Sequence, residues 1–381
     1  MATIALCMIV KNEAHVIRRC LESALPLIDY VLIVDTGSSD GTQQVVREFL
    51  QDKALSGQVI DEPWRDFAYN RSFALRMLRE CPHIAYGLMI DADNVIEYGV
   101  GFDAHEFKQD LRQDLYDVNV RLADISYSLP LLFSNRVGFV YKGVLHEYLV
   151  VPPNCTRATA LGFSNRHHPD GARSRNPRKY QDDAAVLDKA LLTETDPFLI
   201  ARYTFYLAQS YRDYGENERA VQCYLRRAQL GFWKEEVFIS LYRAARIMEA
   251  LGRSDAEILQ TYLDAYEAFP TRAESLHGAI RYCRLHRKYQ QGYILGQHAL
   301  ALVRPETGLF LEEWIYAYGL LDEYAIVAYW AGHYRECFDA CLRILGEKAI
   351  PEPQRDRVRK NAEYSIAKLD DPKLAGMLDS V

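Results

Sequence analysis

The sequence lacks the features that mark several large classes of protein. None of its eight cysteines belongs to a Cys-x-x-Cys pair, which argues against a zinc site or disulfide scaffold and favours reduced, packed thiols. No apolar run approaches the ~20 residues of a membrane-spanning helix, and residues 1–10 lack the cleavage site of a secretory leader. A formal net charge of −7 argues against nucleic-acid binding. We therefore expect a cytoplasmic protein with no membrane span and no nucleic-acid partner.

Two nucleotide-binding signatures are also missing. Gly-x-Gly-x-x-Gly does not follow the first apolar run, and no Gly-Lys-Ser/Thr phosphate loop occurs. The first half of the chain nevertheless alternates apolar runs with amphipathic helical segments, which predicts an α/β fold with a mostly parallel sheet flanked by helices. At 381 residues the chain is too long for one core of ordinary size, so we expect at least two domains.

What the first half does contain is an apolar run, residues 86–90, that ends in two carboxylates one residue apart. Read as a buried strand, this run places Asp91 and Asp93 at the sheet edge where ligands bind in open α/β folds. Alternate residues of an extended chain face the same side, and the small Ala92 between them leaves room for a ligand. Oxygen ligands at this spacing favour manganese or magnesium shared with substrate phosphates. The alternative is an acidic turn after a buried strand.

Three motifs in order resemble the family 2 glycosyltransferases, which have the GT-A fold. They are residues 8–13 (Met-Ile-Val-Lys-Asn-Glu), residues 34–42 (Val-Asp-Thr-Gly-Ser-Ser-Asp-Gly-Thr) and the Asp-Ala-Asp of residues 91–93. The resemblance covers residues 1–172 and implies an inverting enzyme that needs a divalent cation, manganese or magnesium. It also implies that the donor is a nucleotide-sugar, most simply a UDP-sugar.

The resemblance implies roles for individual residues. Asp35 would contact the nucleobase, Asp91 would lie near the ribose and the metal, and Asp93 would ligate the metal directly. The helix start at residues 66–71 would lie beside the sugar nucleotide, with Asn-Arg where Arg-Asn is more usual. The remaining donor-binding candidates are Val10, Asn12, Glu13, Gly37, Asp66, Asn70, Arg71 and Ala92.

A base must remove the acceptor's proton if the anomeric centre is inverted. His146 and Glu147 stand among apolar residues and resemble the Gly-x-x-His-Glu segment of such transferases. Glu147 is our candidate base, and Asp124 is a rival. The alternative for the His-Glu pair is a strand-edge pair that fixes the loop.

Two adjacent histidines follow the acceptor region. In GT-A enzymes a histidine there often completes the metal or diphosphate site, so the resemblance makes His167 and His168 candidate metal ligands. Neighbours on an extended chain face opposite ways, so we expect only one of them to reach the metal. We favour His168 because it precedes Pro-Asp-Gly. The alternative is a pair of exposed loop histidines.

From residue 177 onward helical periodicity dominates the sequence. Large and small residues alternate in the manner of tetratricopeptide hairpins, and Gly215 and Gly252 stand 37 positions apart, near the ~34 of that repeat. We predict a GT-A domain over 1–172, a linker helix over 173–198, an all-α tetratricopeptide-like domain over 199–350 and a helical cap over 351–381.

The combination of these two parts is similar to peptide S-glycosyltransferases. It implies a peptide or protein acceptor, and stacked hairpins could also pair two chains in a homodimer. Two alternatives stay open: a glycosyltransferase of cell-surface glycan (lipopolysaccharide or capsule) assembly, and a non-catalytic repeat scaffold that binds a nucleotide.

Overall fold

The computed structural model describes residues 1–122, 125–347, 350–371 and 373–380. The chain divides into two compact units, Met1–Ala190 and Leu191–Val381. The helix Lys179–Leu191, which falls inside the predicted linker of residues 173–198, belongs to the first unit up to Ala190. Among the described residues, no helix is both long enough and apolar enough to cross a bilayer.

The first unit is built on a curled, mixed sheet. Its described strands are β1 (Ile4–Val10), β2 (Tyr30–Asp35), β3 (Ser56–Asp61), β4 (Tyr86–Met89), β5 (Asn94–Tyr98), β6 (Leu115–Leu122), β7 (Ile125–Ser134), β8 (Val140–Lys142), β9 (Tyr148–Val150) and β10 (Arg157–His167). Eight strands follow the order β3-β2-β1-β4-β7-β6-β10-β5, and β8 pairs with β9.

The strand directions agree with our expectation of a mostly parallel sheet and show where antiparallel strands join it. The half β3-β2-β1-β4 is parallel, and so is the pair of β6 with β10, whereas β7 runs antiparallel to both β4 and β6, and β5 runs antiparallel to β10. β6 and β7 are antiparallel because the connection between them is short, whereas parallel strands need a crossover of a dozen or more residues.

Helices cover both faces of the parallel half. The first unit's described helices are α1 (Ile17–Ala24), α2 (Thr42–Asp52), α3 (Phe67–Arg79), α4 (Ala104–Asp110) and α5 (Lys179–Leu191). Alternate residues of β1 face opposite ways: Leu6 and Met8 pack in one core with residues of α1 and α2, and Ala5 and Cys7 pack in another with residues of α3. Burial on both faces explains why these strands are continuous apolar runs.

Parallel pairing brings three polar turns to one edge of the sheet. In the register of β1 with β2, Val10 lies opposite Asp35, and β4 pairs with β1 on its other side. The carboxyl ends of all three strands therefore meet, as expected for a ligand site in an open α/β sheet. β4 ends at Met89, and Asp91 follows in a tight turn in which the Asn94 backbone N–H donates to the Asp91 carbonyl at 3.0 Å.

The second unit is all-helical. Its described helices are α6 (Pro197–Asp213), α7 (Asn217–Gln229), α8 (Lys234–Ala250), α9 (Asp255–Ala268), α10 (Glu274–Leu285), α11 (Tyr289–Ala299), a π-helical turn (Ile315–Gly319), α12 (Leu320–Trp330), α13 (Tyr334–Glu347), α14 (Glu352–Leu369) and α15 (Lys373–Asp379). Successive helices pack on one another as in tetratricopeptide-like hairpins, so the predicted fold class of the second half is confirmed.

Helix ends in the left-handed conformation mark the hairpin turns. Gly215, Gly252 and Gly332 have φ of 93°, 65° and 94° directly after α6, α8 and α12. At each end the next residue's N–H donates back to the last turn, as Glu216 does to the Tyr211 carbonyl at 2.8 Å. α10 ends in the same way, but Arg287 occupies the position at φ 59°. The repeat therefore continues where the sequence loses its glycine.

Candidate functional site

A cavity of about 620 Å³ lies at the carboxyl edge of the sheet in the first unit. Its walls are the ends of β1 and β4, the start of α3, the loop after β10 and the first turns of α5. The predicted site residues that line it are Val10, Asn12, Glu13, Asp66, Asp91, Ala92, Asp93 and His167. Three separate sequence motifs thus meet in one space.

Asn12 joins the turns after β1 and β2. Its backbone is left-handed, with φ 60°, and its N–H donates to the Ser38 hydroxyl at 2.9 Å. The Ser39 N–H donates in turn to Asn12 Oδ1 at 2.8 Å. Asparagine tolerates this conformation better than most residues, so the side chain and backbone together fix the shape of this wall.

Asp35 is buried at the end of β2 and has one carboxylate oxygen to spare. Oδ1 accepts hydrogen bonds from the N–H groups of Gly37 at 2.9 Å and Ser38 at 2.7 Å. Gly37 has φ 108°, a conformation that favours glycine. Oδ2 is buried without a hydrogen-bond partner among the described residues. Such an orphaned acceptor suits a donor group from outside the chain.

Arg71 bridges two of the predicted site carboxylates. Its Nη2 lies 2.7 Å from Asp91 Oδ1, and its Nε lies 2.5 Å from Glu147 Oε1. The side chains of Arg71 and Glu147 are 11% and 12% exposed, whereas that of Asp91 is 51% exposed. Burial opposes the charge of Arg71, but Asp91 and Glu147 raise its pKa above the ordinary value. One guanidinium group therefore holds both the candidate base and the first aspartate of the acidic pair.

Asp93 is the more enclosed member of the acidic pair. Burial raises the pKa of its carboxyl, and the charge of Asp91 adds to the rise. Gly171 packs against it so closely that a Cβ there would lie 2.8 Å from Oδ2. His167 Nδ1 lies 3.8 Å from Asp93 Oδ1 and 2.9 Å from Asn94 Oδ1.

Glu13 adds a third carboxylate to the cavity wall. Its oxygens accept from the Ala172 N–H at 3.1 and 3.2 Å. Burial raises the pKa of Glu13 to about 7, and the charges of Asp93 and Asp91 contribute. In the described part of the chain, no three His, Cys, Asp or Glu side chains converge as a preformed metal cage. The donor set is instead a pair of hard carboxylates with a nearby imidazole, which suits a cation that takes its other ligands from phosphates and water.

Two residues at the start of α3 use their side chains to fix the backbone and do not present them to the cavity as free groups. Asp66 caps α3, because its Oδ1 accepts from the Tyr69 N–H at 2.7 Å. Asn70 is fully buried, and its Oδ1 accepts from the Arg65 N–H at 3.0 Å. Its amide also donates to the Pro63 carbonyl at 3.2 Å. Arg71, and not Asn70, is therefore the member of the pair that reaches the carboxylates.

The remaining candidates take different positions. His167 lines the cavity, whereas our favoured His168 lies within electrostatic range of Asp170 and Glu97. His146, beside Glu147, has a left-handed backbone with φ 53°. The rival base, Asp124, lies outside the described residues.

Residue-level reasoning missed the contacts that hold the loop after β10. Arg19 donates to both oxygens of Asp170, at 2.8 and 2.7 Å, and its Nη2 donates to the Asp93 carbonyl at 3.2 Å. His15 Nε2 lies 2.8 Å from the Asp170 carbonyl. The sequence gives little indication of this contact, because Arg19 and Asp170 are 151 positions apart and a helical arginine could pair with many carboxylates.

Comparison with known proteins finds a family match for a part of the chain that contributes to this cavity. Residues 5–118 match the model of glycosyl transferase family 2. This part of the chain is a family 2 glycosyltransferase domain. The predicted fold class is confirmed for the glycosyltransferase domain and for the helical unit that follows.

Three relatives have similar sequences. An uncharacterized glycosyltransferase of Rickettsia prowazekii is 29% identical over 166 residues, 43% of this chain and 49% of that protein. A TPR repeat-containing protein of Synechococcus elongatus is 44% identical over 152 residues, which are 39% of this chain and 35% of that protein. The lipopolysaccharide core biosynthesis glycosyltransferase LpsC of Rhizobium meliloti is 33% identical over 86 residues, which are 23% of this chain and 30% of that protein. The chain thus spans half or less of each relative's length.

Tetratricopeptide repeat proteins are among the solved structures that align with this chain. A tetratricopeptide repeat protein from Parabacteroides merdae aligns over 53% of this chain and 72% of its own, with 14% identity and a TM-score of 0.37.

Proposed function

We propose that the chain is a metal-dependent, inverting glycosyltransferase that moves a sugar from a nucleotide-sugar, most simply a UDP-sugar, to an acceptor. The observation that carries the proposal is the meeting of Glu13, Asp91 and Asp93 in one cavity of a family 2 domain. Burial raises the pKa values of Glu13 and Asp93, and the charges of the neighbouring carboxylates add to the rise; a divalent cation would favour the charged forms of all three.

The donor is held by the chain's own groups at both ends in this proposal. The spare Oδ2 of Asp35 accepts a hydrogen bond from an N–H of the nucleobase. Asp93 and Asp91 hold the cation, with His167 beside them. When bound, the cation supplies charge stabilisation for the leaving diphosphate.

Glu147 serves as the base for the acceptor. Arg71 fixes the orientation of its carboxylate through Oε1. The same arginine holds Asp91, so the base and the donor site share one positioning residue. A fixed carboxylate can take the acceptor's proton as the new bond forms, which is the requirement for inversion.

The test is nucleoside diphosphate release from a panel of UDP-, GDP-, ADP- and dTDP-sugars with manganese. We expect slow release from one nucleotide class, reduced about 100-fold in D93N, because a neutral amide holds the cation poorly. The matched control is D52N, which changes an exposed aspartate at the end of α2 and leaves the rate unchanged. The proposal fails if no donor is cleaved, or if D93N and D52N behave alike.

A nucleotide-binding scaffold without turnover is the second candidate. The specific observation in its favour is Arg71, which occupies Asp91 and Glu147 with an ion pair each. This candidate predicts that manganese and one nucleotide raise the melting temperature of the chain while no donor is cleaved. Donor cleavage sensitive to D93N removes it.

The acceptor is a peptide or protein in our proposal, because stacked helical hairpins form surfaces suited to peptides. A cell-surface glycan is the competing acceptor, and the similarity to a lipopolysaccharide core biosynthesis enzyme supports it. Mass spectrometry after incubation with a peptide library and with core oligosaccharide separates the two: the acceptor class that gains the mass of one sugar is the correct one.

A further inference from the structure

The helical unit contains a second cavity, of about 450 Å³, that the proposed function does not use. It is bounded by the end of α6, the start of α7, the middle of α8 and the loop before the π-helical turn. Three arginines line it, Arg212, Arg243 and Arg246, together with apolar side chains that include Ile239 and Phe310. The chain as a whole is acidic, so a cavity with three guanidinium groups stands out.

Two of these arginines have carboxylate partners. Arg212 Nε lies 2.7 Å from Asp213 Oδ1, and Arg246 Nη1 lies 3.5 Å from Glu312 Oε1. Glu312 also accepts a hydrogen bond from the Tyr242 hydroxyl at 2.8 Å. Arg212 and Arg246 thus each have a carboxylate partner, and the partner of Arg246 also lines the cavity.

Arg243 differs because neutral groups hold it. Its Nη1 donates to the Gln209 Oε1 at 2.8 Å, and its Cζ lies 4.2 Å from the centroid of the Phe310 ring. Within the described part of the chain, Arg243 forms no ion pair, and burial lowers the pKa of its guanidinium. A half-buried charge held by neutral partners is costly, and an anion in the cavity would relieve that cost.

Phe310 is placed over this guanidinium by an unusual backbone. Its φ is 50°, a left-handed conformation that is rare for a bulky residue. The preceding residue is anchored, because Arg272 Nη2 donates to the Leu309 carbonyl at 3.2 Å. The ring remains 49% exposed, so one of its faces is open for contact beside the charge. Strain of this kind persists where the surroundings impose it.

We propose that this cavity binds an oxyanion, a carboxylate or a phosphate, carried on a flat apolar group, with Arg243 as the main contact. The planar guanidinium suits both oxyanions because it donates parallel hydrogen bonds. Phe310 and Ile239 supply the apolar surface for the attached group. The site is separate from the glycosyltransferase cavity, and the inference does not depend on the proposed function.

The test uses four probes and a neutral control with the full chain. Phenyl phosphate, phenylacetate, inorganic phosphate and acetate are titrated by ligand-observed NMR at low ionic strength, with benzyl alcohol as the neutral compound. We expect the two phenyl anions to bind, more tightly than the plain anions, and benzyl alcohol not to bind. The stronger of phenyl phosphate and phenylacetate identifies the preferred oxyanion.

R243Q is expected to weaken the phenyl anions about tenfold, because a charge-assisted hydrogen bond is lost. R343Q, an exposed arginine on α13 paired with Glu347, is the matched control and should bind as the parent does. F310A tests the site without touching the charge and should reduce the preference for phenyl over plain anions.

Three outcomes overturn the proposal: none of the anions binds, benzyl alcohol binds as well as they do, or R343Q weakens binding as much as R243Q. The melting temperatures of the variants show whether weaker binding could come from a loss of folded protein. Removing a charge held by neutral partners should not lower the melting temperature, and F310A offers a second variant in which the charge is kept.

Discussion

Arg71 links two carboxylates to which the sequence assigns different tasks. It pairs Glu147 inside the protein and Asp91 at the cavity edge, with both contacts at 2.7 Å or less. Removing it would leave one carboxylate buried without its cation, which costs more than the ion pair itself contributes. The same residue therefore determines the stability of the domain and the geometry of the candidate base.

We predict that R71M lowers the free energy of unfolding by about 3 kcal/mol, less than a fully buried pair would cost because Asp91 is half exposed. The double variant R71M/E147Q should recover part of this loss, since the buried charge is then removed as well. Urea unfolding measures both. R47M, at an exposed arginine of α2, is the control and should change stability by less than ~0.5 kcal/mol. Additive effects in the double variant would contradict the coupling.

Some site residues could be predicted from the sequence because their signal is local. Asp35 and Asp91 each stand at the end of a short apolar run that is typical of a buried strand, and parallel strands bring such ends together. The Arg71–Glu147 contact joins residues 76 positions apart through packing that no local pattern encodes. The positions of His167 and His168 are likewise hard to predict, because the loop after β10 is held by the distant contact of Arg19 with Asp170.

At the scale of elements, the end of α10 shows how a repeat can persist without its sequence marker. Arg287 follows Gly252 by 35 positions and holds the same left-handed conformation. The Lys288 N–H donates to the Cys283 carbonyl at 2.8 Å, as the corresponding groups do after α8. The end of α10 therefore has the same backbone as the end of α8, although it lacks the glycine.

We predict that R287G raises the free energy of unfolding by about 1 kcal/mol, because glycine adopts a positive φ without steric cost. R343G, in the interior of α13, should lower it by a similar amount, since glycine is unfavourable within a helix. Thermal and urea unfolding measure the two variants side by side. Destabilisation by both substitutions would show that the Arg287 side chain contributes more than its backbone costs.

The strand directions were harder to predict than the strands themselves. Periodicity shows that β6 and β7 are extended, but the pairing of β7 with β4 and β6 is a contact between distant segments. The parallel half β3-β2-β1-β4 follows from the alternation of strands and helices, whereas the antiparallel pair of β6 and β7 follows from a connection too short to cross over.

At the scale of the whole molecule, the two compact units have separate cores. Leu88 is fully buried in the first unit and Phe338 in the second. Chains built from two cores commonly depart from a single unfolding transition. The division of the chain could be predicted from composition and periodicity, although its position at residues 190 and 191 could not, because α5 packs by tertiary contacts.

We predict two unfolding transitions for the full chain. Leu88→Ala should lower one and Phe338→Ala the other, each by about 3 kcal/mol, because each leaves a cavity in a different core. Manganese with the preferred nucleotide should raise only the transition that Leu88→Ala lowers, since the cavity that we propose for the donor lies in that unit. Circular dichroism during urea unfolding measures these shifts. One transition moved by both substitutions would mean that the units unfold together.

The hydrogen bonds from Ala172 to Glu13 join residues 159 positions apart, and those from Arg19 to Asp170 span 151. During biosynthesis, the first turn after β1 must therefore wait for its partners. At about 5–20 residues per second, translation needs on the order of ten seconds to reach them. A nascent chain stopped before residue 170 would have the turn that carries Glu13 but not the loop after β10 that packs on it. Affinity for the donor should therefore arise late in synthesis and not with the first strands.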